Sequence, residues 1–277
     1  MKSFPKALLL DMDGVLYHGD RVLPYALEFM HSTAALPRVF LTNNPIATPA
    51  QVADRLAGMG LGRPGDGEIL TSGVATARYL AERRPGFRYF CVGAQGLDAE
   101  LSRFGLSDPE NADFVVVGEG PGIDFTNLTQ GINLILQQGA ELVSTNPDDS
   151  VDATIDGRHR VLPGGGALVA PFEVATGAKA ISIGKPHSLL FEMALHALDA
   201  EPGDCVMIGD RVDTDIAGAQ RVGIHTALVR TGRYAPGDPW PAGQSTPDWD
   251  VPDLHSLLAA WQSDWPDHFD GDGALRG

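Results

Sequence analysis

Short apolar runs that stop abruptly at glycine or a polar residue recur along this chain. ALLL ends at Asp11, RVFL at Thr42, RYFCV at Gly93, DFVVV at Gly118, AELV at Ser144, KAISI at Gly184 and DCVMI at Gly209. Runs this short and apolar throughout read as strands buried on both faces. Between them the periodicity turns helical. TPAQVADRLAGMGL predicts a helix with Thr48 as its cap, Pro49 in the first turn and Gly60 near the stop. VPDLHSLLAAW predicts a last helix. Strands alternating with helices imply an α/β fold built on parallel sheet. Ligands of such sheets bind beyond the carboxyl ends of the strands. The residues that directly follow the runs therefore carry the chemistry: Asp11 and Asp13, Thr42 and Asn43, Lys185, and Asp210.

The remaining stretches modify this picture in places. LTNNP and STNPD echo each other at two strand ends, but five residues are too few for a repeat. DSVDATIDGRHR reads as a hairpin with IDGR as its turn. It holds Arg158, His159 and Arg160, and the sharper alternative is that these reach an anionic ligand. Past Arg233 the chain grows rich in proline, tryptophan and aspartate, and SDWPDHFDGDGALRG reads as a loose acidic tail.

Charge excludes some partners. Twenty basic residues against 36 acidic ones leave a net charge of -16, the wrong sign for a nucleic-acid backbone or an anionic membrane surface. Any anion site must be local. Cys91 and Cys205 lie in apolar strand runs and read as two buried reduced thiols, which suits the cytoplasm. Lys2 and Lys6 before ALLL mimic the start of a signal peptide, but Asp11 ends the apolar run well short of an h-region of roughly 7–15 residues. No segment approaches the roughly 20 apolar residues of a membrane span.

The acids at two strand ends raise the main chemical question. In DMDGVLYHGD, Asp11 and Asp13 are either turn and cap residues or ligands. A calcium loop fails, because Val15 occupies the third ligand position and Leu23 falls where the bidentate acid belongs. In GDRVDTDIAGA, Asp210, Asp213 and Asp215 follow another strand; read structurally, Asp210 caps the next helix and Asp215 suits its first turn. If the two strand ends lie side by side, Asp11, Asp13, Asp210 and Asp215 crowd one cleft. Each like-charge pair near ~4 Å then costs about 4 kcal/mol at an effective dielectric of 20. A hard divalent cation offsets several such terms, and Mg²⁺ suits carboxylates plus waters. Thr42 and Asn43 offer a hydroxyl, an amide and main-chain N–H groups, either as a helix cap and turn or as an anion site. Lys185 is either a solvated strand-end lysine or a cation beside the acids. His18 and His187 read as peripheral.

Taken in order, DMDGVLYHG, LTNNP, IGKP and GDRVDTDIAGA resemble the four motifs of the haloacid dehalogenase superfamily, with its large insertion between the second and third. The resemblance spans roughly residues 5 to 260 and is nearest to the NagD-like and phosphoglycolate–pyridoxal phosphate phosphatase group. VGAQGLDAEL, STNPD and LPGGGALVA resemble that group's cap. The resemblance implies a Rossmann-like parallel-sheet core over 1–85 and 182–262, an inserted α/β cap over 86–181 that closes over the leaving group, and the acidic tail 263–277. It implies a phosphatase of small phosphorylated metabolites, with a homodimer through the cap as one arrangement. Asp11 would be the nucleophile and Asp13 the general acid and base. Mg²⁺ would be held by the Asp11 carboxylate, the Asp13 carbonyl and Asp210, with Asp215 in support. Thr42, Asn43 and Lys185 would bind the phosphoryl oxygens.

Rival chemistries lack their motifs. Lys185 precedes proline and Lys179 precedes alanine, so neither completes a Walker A sequence, and G-x-S-x-G and H-E-x-x-H are absent. The superfamily's dehalogenases lack the second acid, so Asp13 favours phosphatase. A phosphotransferase with the same residues, and a silent phospholigand-binding regulator, are the alternatives.

Overall fold

The computed structural model describes residues 3–155 and 157–276. Lys2, and Asp156 of the expected IDGR turn, lie outside the described residues. The chain divides into two compact units, one of residues 1–41, 53–69 and 191–277, the other of residues 42–52 and 70–190.

The first unit is organised by a six-stranded sheet. Its order is Trp249–Val251, His225–Val229, Cys205–Gly209, Ala7–Leu10, Arg38–Thr42 and Ile69–Thr71, of which Thr42, Leu70 and Thr71 count with the second unit. Pairing from Trp249–Val251 across to Arg38–Thr42 is parallel throughout. Leu8, Leu9 and Leu10 are wholly buried, as a central strand covered on both faces requires. The register sets Leu10 beside Ile208, so the residues that follow each of those strands emerge at the same edge.

The second unit has its own five-stranded parallel sheet, in the order Ile181–Ser182, Glu141–Ser144, Phe114–Val117, Arg88–Val92 and Leu106–Ser107. Val115, Val117, Leu134, Leu142 and Phe172 fill its core, supplied by the strands and by the helices Phe125–Gln138 and Gly165–Thr176. The expected hairpin forms as Ser150–Ile155 against antiparallel Arg158–Pro163. Arg158, His159 and Arg160 are all exposed there, and His159 Nε2 sits 2.8 Å from Asp152 Oδ1.

Local signals settle the helix ends. Thr48 N–H donates to Gln51 Oε1 at 2.9 Å while Gln51 N–H donates to Thr48 Oγ1 at 3.3 Å. This reciprocal capping box starts the helix Pro49–Gly58. Gly60, at φ +78°, takes the left-handed conformation just past its end. Among the described residues no helix is long and apolar enough to cross a membrane. Cys91 and Cys205 are both free. Burial pushes the Cys91 thiol up to about 12 and the Cys205 thiol up to about 11, so neither is a thiolate at neutral pH.

The C-terminal segment differs from the loose tail its composition suggests. The last helix runs from Leu254 to Asp264, capped by Asp253, and buries Leu254, Leu257, Leu258 and Trp261. The chain then returns along the unit: Leu275 N–H donates to Ser32 O at 2.8 Å, and Phe269 is only 5% exposed. The Phe4 ring stacks on His268 at 4.3 Å and meets Trp261, Trp265 and Phe269 edge-on. Aromatic area holds the segment despite its acids. Phe269→Ala is therefore expected to destabilise the first unit by about 3 kcal/mol or more. Thermal melting measures this; an unchanged Tm would mean that the ring contributes nothing.

Candidate active site

Asp11 follows the Ala7–Leu10 strand, and its N–H continues the parallel ladder to Ile208 O at 2.9 Å. Asp210 follows the neighbouring Cys205–Gly209 strand. Beyond it, Val212–Ile216 winds as a single wide π-helical turn, with Ile216 N–H reaching back to Arg211 O. Such turns displace a side chain from its ordinary helical position. Here the turn leaves Asp215 fully buried, with Arg211 N–H donating to its Oδ2 at 3.2 Å. Asp11, Asp210 and Asp215 present carboxylate oxygens that all lie within 4.8 Å of one another, and all three residues are buried.

Glycines make room for this trio. A Cβ on Gly209 would lie 2.3 Å from Asp215 Cβ. A Cβ on Gly232 would lie 2.1 Å from Asp210 Oδ2, and one on Gly14, 2.5 Å from the same oxygen. Gly14 also holds φ +81°, which a side chain would oppose. Arg233 N–H donates to Asp210 Oδ2 at 2.7 Å, and Thr231 Oγ1 donates to Gly14 O at 2.6 Å. Three buried carboxylates in a space that no Cβ can enter suit a small hard cation with oxygen ligands. The donor set fits a divalent metal.

Asp13 does not place its carboxylate in that trio. Its side chain is 52% exposed, and His18 Nδ1 lies 3.4 Å from Asp13 Oδ1. The chain then turns back, with Gly14 N–H donating to Tyr17 O, into a small hairpin of Tyr17–His18 against Arg21–Val22. Arg55 braces this hairpin: its guanidinium stands 4.6 Å over the Tyr17 ring and donates to Gly19 O at 2.6 Å. Asp213 stays outside the trio, in a two-bond pair with Arg211 at 3.2 and 2.7 Å.

Thr42, Asn43 and Lys185 belong to the second unit. Thr42 Oγ1 accepts from Asn44 N–H at 3.1 Å, which leaves its own hydroxyl proton to donate. Asn43 and Lys185 are brought together: Lys185 N–H donates to Asn43 Oδ1 at 2.7 Å, and Asn43 Nδ2 donates to Lys185 O at 2.9 Å. The second Nδ2 proton goes to Asp148 Oδ2 at 3.0 Å. Lys185 is 3% exposed, and its bond to Pro186 is cis.

Several residues escaped the sequence reading. Thr231, Gly232 and Arg233 follow the apolar run HTALV, so the strand-end rule that found Asp11 and Asp210 also pointed at them. Buried Glu119 and Asn146 lie in VGEG and STNPD, where nothing in the composition separates a buried polar residue from a turn residue.

Comparison with known proteins identifies the family. Residues 8–107 match the model for haloacid dehalogenase-like hydrolases, and residues 182–257 match a HAD-hydrolase-like model. An acid sugar phosphatase of Staphylococcus saprophyticus is 36% identical over 236 residues, covering 84% of this chain and 88% of that protein. A 5'-nucleotidase of Bacillus subtilis, YutF, is 34% identical over 84% of this chain and 89% of its own. Among solved structures, a 4-nitrophenylphosphatase of Thermotoga maritima superposes with a TM-score of 0.83 at 30% identity, over 91% of this chain and 96% of that one. NagD of E. coli superposes with a TM-score of 0.77 at 30% identity, over 91% and 98%. The chain belongs to the haloacid dehalogenase-like hydrolases, on their Rossmann-like α/β fold, and is a phosphoric monoester hydrolase of the NagD-like group.

Proposed function

We propose that this phosphatase is Mg²⁺-dependent and hydrolyses small-molecule phosphate monoesters through an aspartyl-phosphate on Asp11. The buried trio Asp11, Asp210 and Asp215 carries the reading, because carboxylate oxygens within 4.8 Å of one another form an all-oxygen donor set of the kind that holds a hard divalent cation. When bound, the metal neutralises the trio and draws charge from the phosphoryl oxygens. Asp11, Asp210 and Asp215 would hold it, with the Asp13 carbonyl as a further ligand.

The remaining steps belong to the chain itself. An Asp11 carboxylate oxygen attacks phosphorus, and the ester P–O bond breaks. Asp13, exposed and beside His18, gives its proton to the departing alkoxide, so the alcohol leaves neutral. Asp13 then takes a proton from water, the resulting hydroxide attacks phosphorus, and inorganic phosphate departs as Asp11 is restored. The Thr42 hydroxyl, the Asn43 main-chain N–H and the Lys185 ammonium bind the phosphoryl oxygens and stabilise their charge. On this reading residues 1–85 and 182–262 are the catalytic core, and the insertion over about 86–181 is the cap that selects the leaving group. Two free cysteines support the cytoplasm as its compartment.

The relatives' names support sugar phosphates and nucleoside 5'-monophosphates as the substrate classes to try. Phosphate release from a panel of both, together with 4-nitrophenyl phosphate, is expected with Mg²⁺ and lost with EDTA. Turnover that survives exhaustive chelation would remove the metal from the reading. Ester binding without any release would favour a silent binding protein instead.

A further inference from the structure

Asn43 would bind the phosphoryl group through its main chain, which leaves its side chain to be explained. That amide fills three of its four bonding positions. Its oxygen accepts the Lys185 N–H, and its two protons go to Lys185 O and Asp148 Oδ2. Because a main-chain N–H faces Oδ1, the amide has only one orientation compatible with its partners. The two bonds to residue 185 copy the rung of a strand pair and set both ends of that residue's main chain. Room for this contact exists because residue 184 is glycine: a Cβ there would lie 2.6 Å from Asn43 Oδ1.

Asn43 is itself held by a second amide. Its carbonyl accepts Ser72 Oγ at 2.5 Å and Asn146 Nδ2 at 2.8 Å. Asn146 is wholly buried. Its other proton goes to Glu119 Oε1 at 2.9 Å, and its oxygen accepts the N–H groups of Asp148 at 3.1 Å and Gly165 at 3.2 Å. An amide has two donor protons and two acceptor lone pairs, and Asn146 uses all four. Residue 165 is again glycine, where a Cβ would lie 2.7 Å from Asn146 Oδ1. The two amides thus tie together residues from six separate stretches of chain, and the bonds end on the main chain of a buried lysine.

We propose that Asn43 and Asn146 are positioning residues: their paired amides fix the main chain of Lys185 and so aim its ammonium at the phosphoryl group. The proposal rests on the phosphate role of Lys185 given above. Neither amide side chain touches substrate on this account. A lysine has four rotatable side-chain bonds, and anchoring its Cα removes the first source of misplacement for a charge that must meet a small anion.

The test is a double-mutant cycle read by calorimetric titration of inorganic phosphate into the full-length protein with Mg²⁺. Lys185→Ala is expected to raise the Kd. Asn43→Ala keeps the main-chain N–H but removes the clamp, and is expected to raise it about tenfold. The double variant should bind no more weakly than Lys185→Ala, because Asn43 acts through the lysine. Thr76→Val, which removes a buried hydroxyl bonded to Ser72 O at 2.7 Å, is the structural control; it should lower Tm and leave the Kd alone. An unchanged Kd in Asn43→Ala, or effects that multiply in the double variant, overturns the clamp while leaving the phosphate role of Lys185 standing. An unchanged Kd in Lys185→Ala overturns both. Asn43→Ser, which retains one donor, takes the place of the alanine variant if that fails to fold, with the same outcomes.

Discussion

Asp11→Asn is expected to abolish phosphate release, by about 10⁴-fold or more, and at the same time to raise the melting temperature of the chelated protein. The first effect follows from the proposed chemistry: an amide cannot replace a carboxylate as the oxygen nucleophile of the aspartyl-phosphate. The second follows from electrostatics alone. At the 4.8 Å limit of the trio's oxygen separations, each like-charge pair repels by about 3 kcal/mol at an effective dielectric of 20. Asparagine removes Asp11 from two of the three pairs at nearly constant volume. Metal restores the wild type more than the variant, since stabilisation by a ligand grows with its affinity for the folded state. Melting curves with EDTA and with Mg²⁺ therefore should cross over between the two proteins. A variant that melts below wild type in EDTA would show that repulsion within the trio is already relieved by other groups; a variant that still turns over would remove Asp11 as nucleophile.

Gly232→Ala is expected to do nearly as much harm from a position with no chemistry of its own. The new methyl would overlap Asp210 Oδ2 and lie 2.7 Å from Gly14 Cα. The backbone on one side cannot yield, so the carboxylate must. Overpacking of this kind destabilises by about 1–3 kcal/mol. The larger consequence is functional: with Asp210 displaced, the Mg²⁺ concentration for half-maximal activity should rise at least about tenfold, as it does when groups that orient a metal ligand are lost. Activity titrated against Mg²⁺ measures the shift. An unchanged midpoint would mean that Asp210 is not a ligand, or that the loop at Gly232 moves aside at little cost.

The parts of the site legible in the sequence were those whose chemistry stands out by residue type. Asp11 and Asp210 each read alone as a turn or cap residue, and they stand out because two buried strands of the same chain both end in acids. Gly232 sits in the same relation to its strand, yet its role is to be absent, and a missing Cβ has no signature in one sequence. Asn146 lay in plain view within STNPD, but an asparagine before proline reads equally well as an exposed turn; only the four partners around it reveal a buried junction. The terminal segment shows the opposite error. Its aspartates and prolines carried the composition toward disorder, while Phe269 and Trp265, two aromatics among them, decided the packing with Phe4. The alternation of strand and helix, by contrast, was readable along the whole chain, since burial on both faces leaves an uninterrupted apolar run.

The first unit is assembled from three separate lengths of chain, and this sets an order of events on the ribosome. The strand Ala7–Leu10 is made early, but its partner Cys205–Gly209 emerges about two hundred residues later, a pairing whose long loop makes it slow to close. The sheet of the second unit draws its strands from residues 88–182 alone and can form while the nascent chain is still growing. Asp11 thus cannot meet both of its acidic neighbours until synthesis has passed Asp215. Repulsion among the three acids therefore opposes no earlier step of folding.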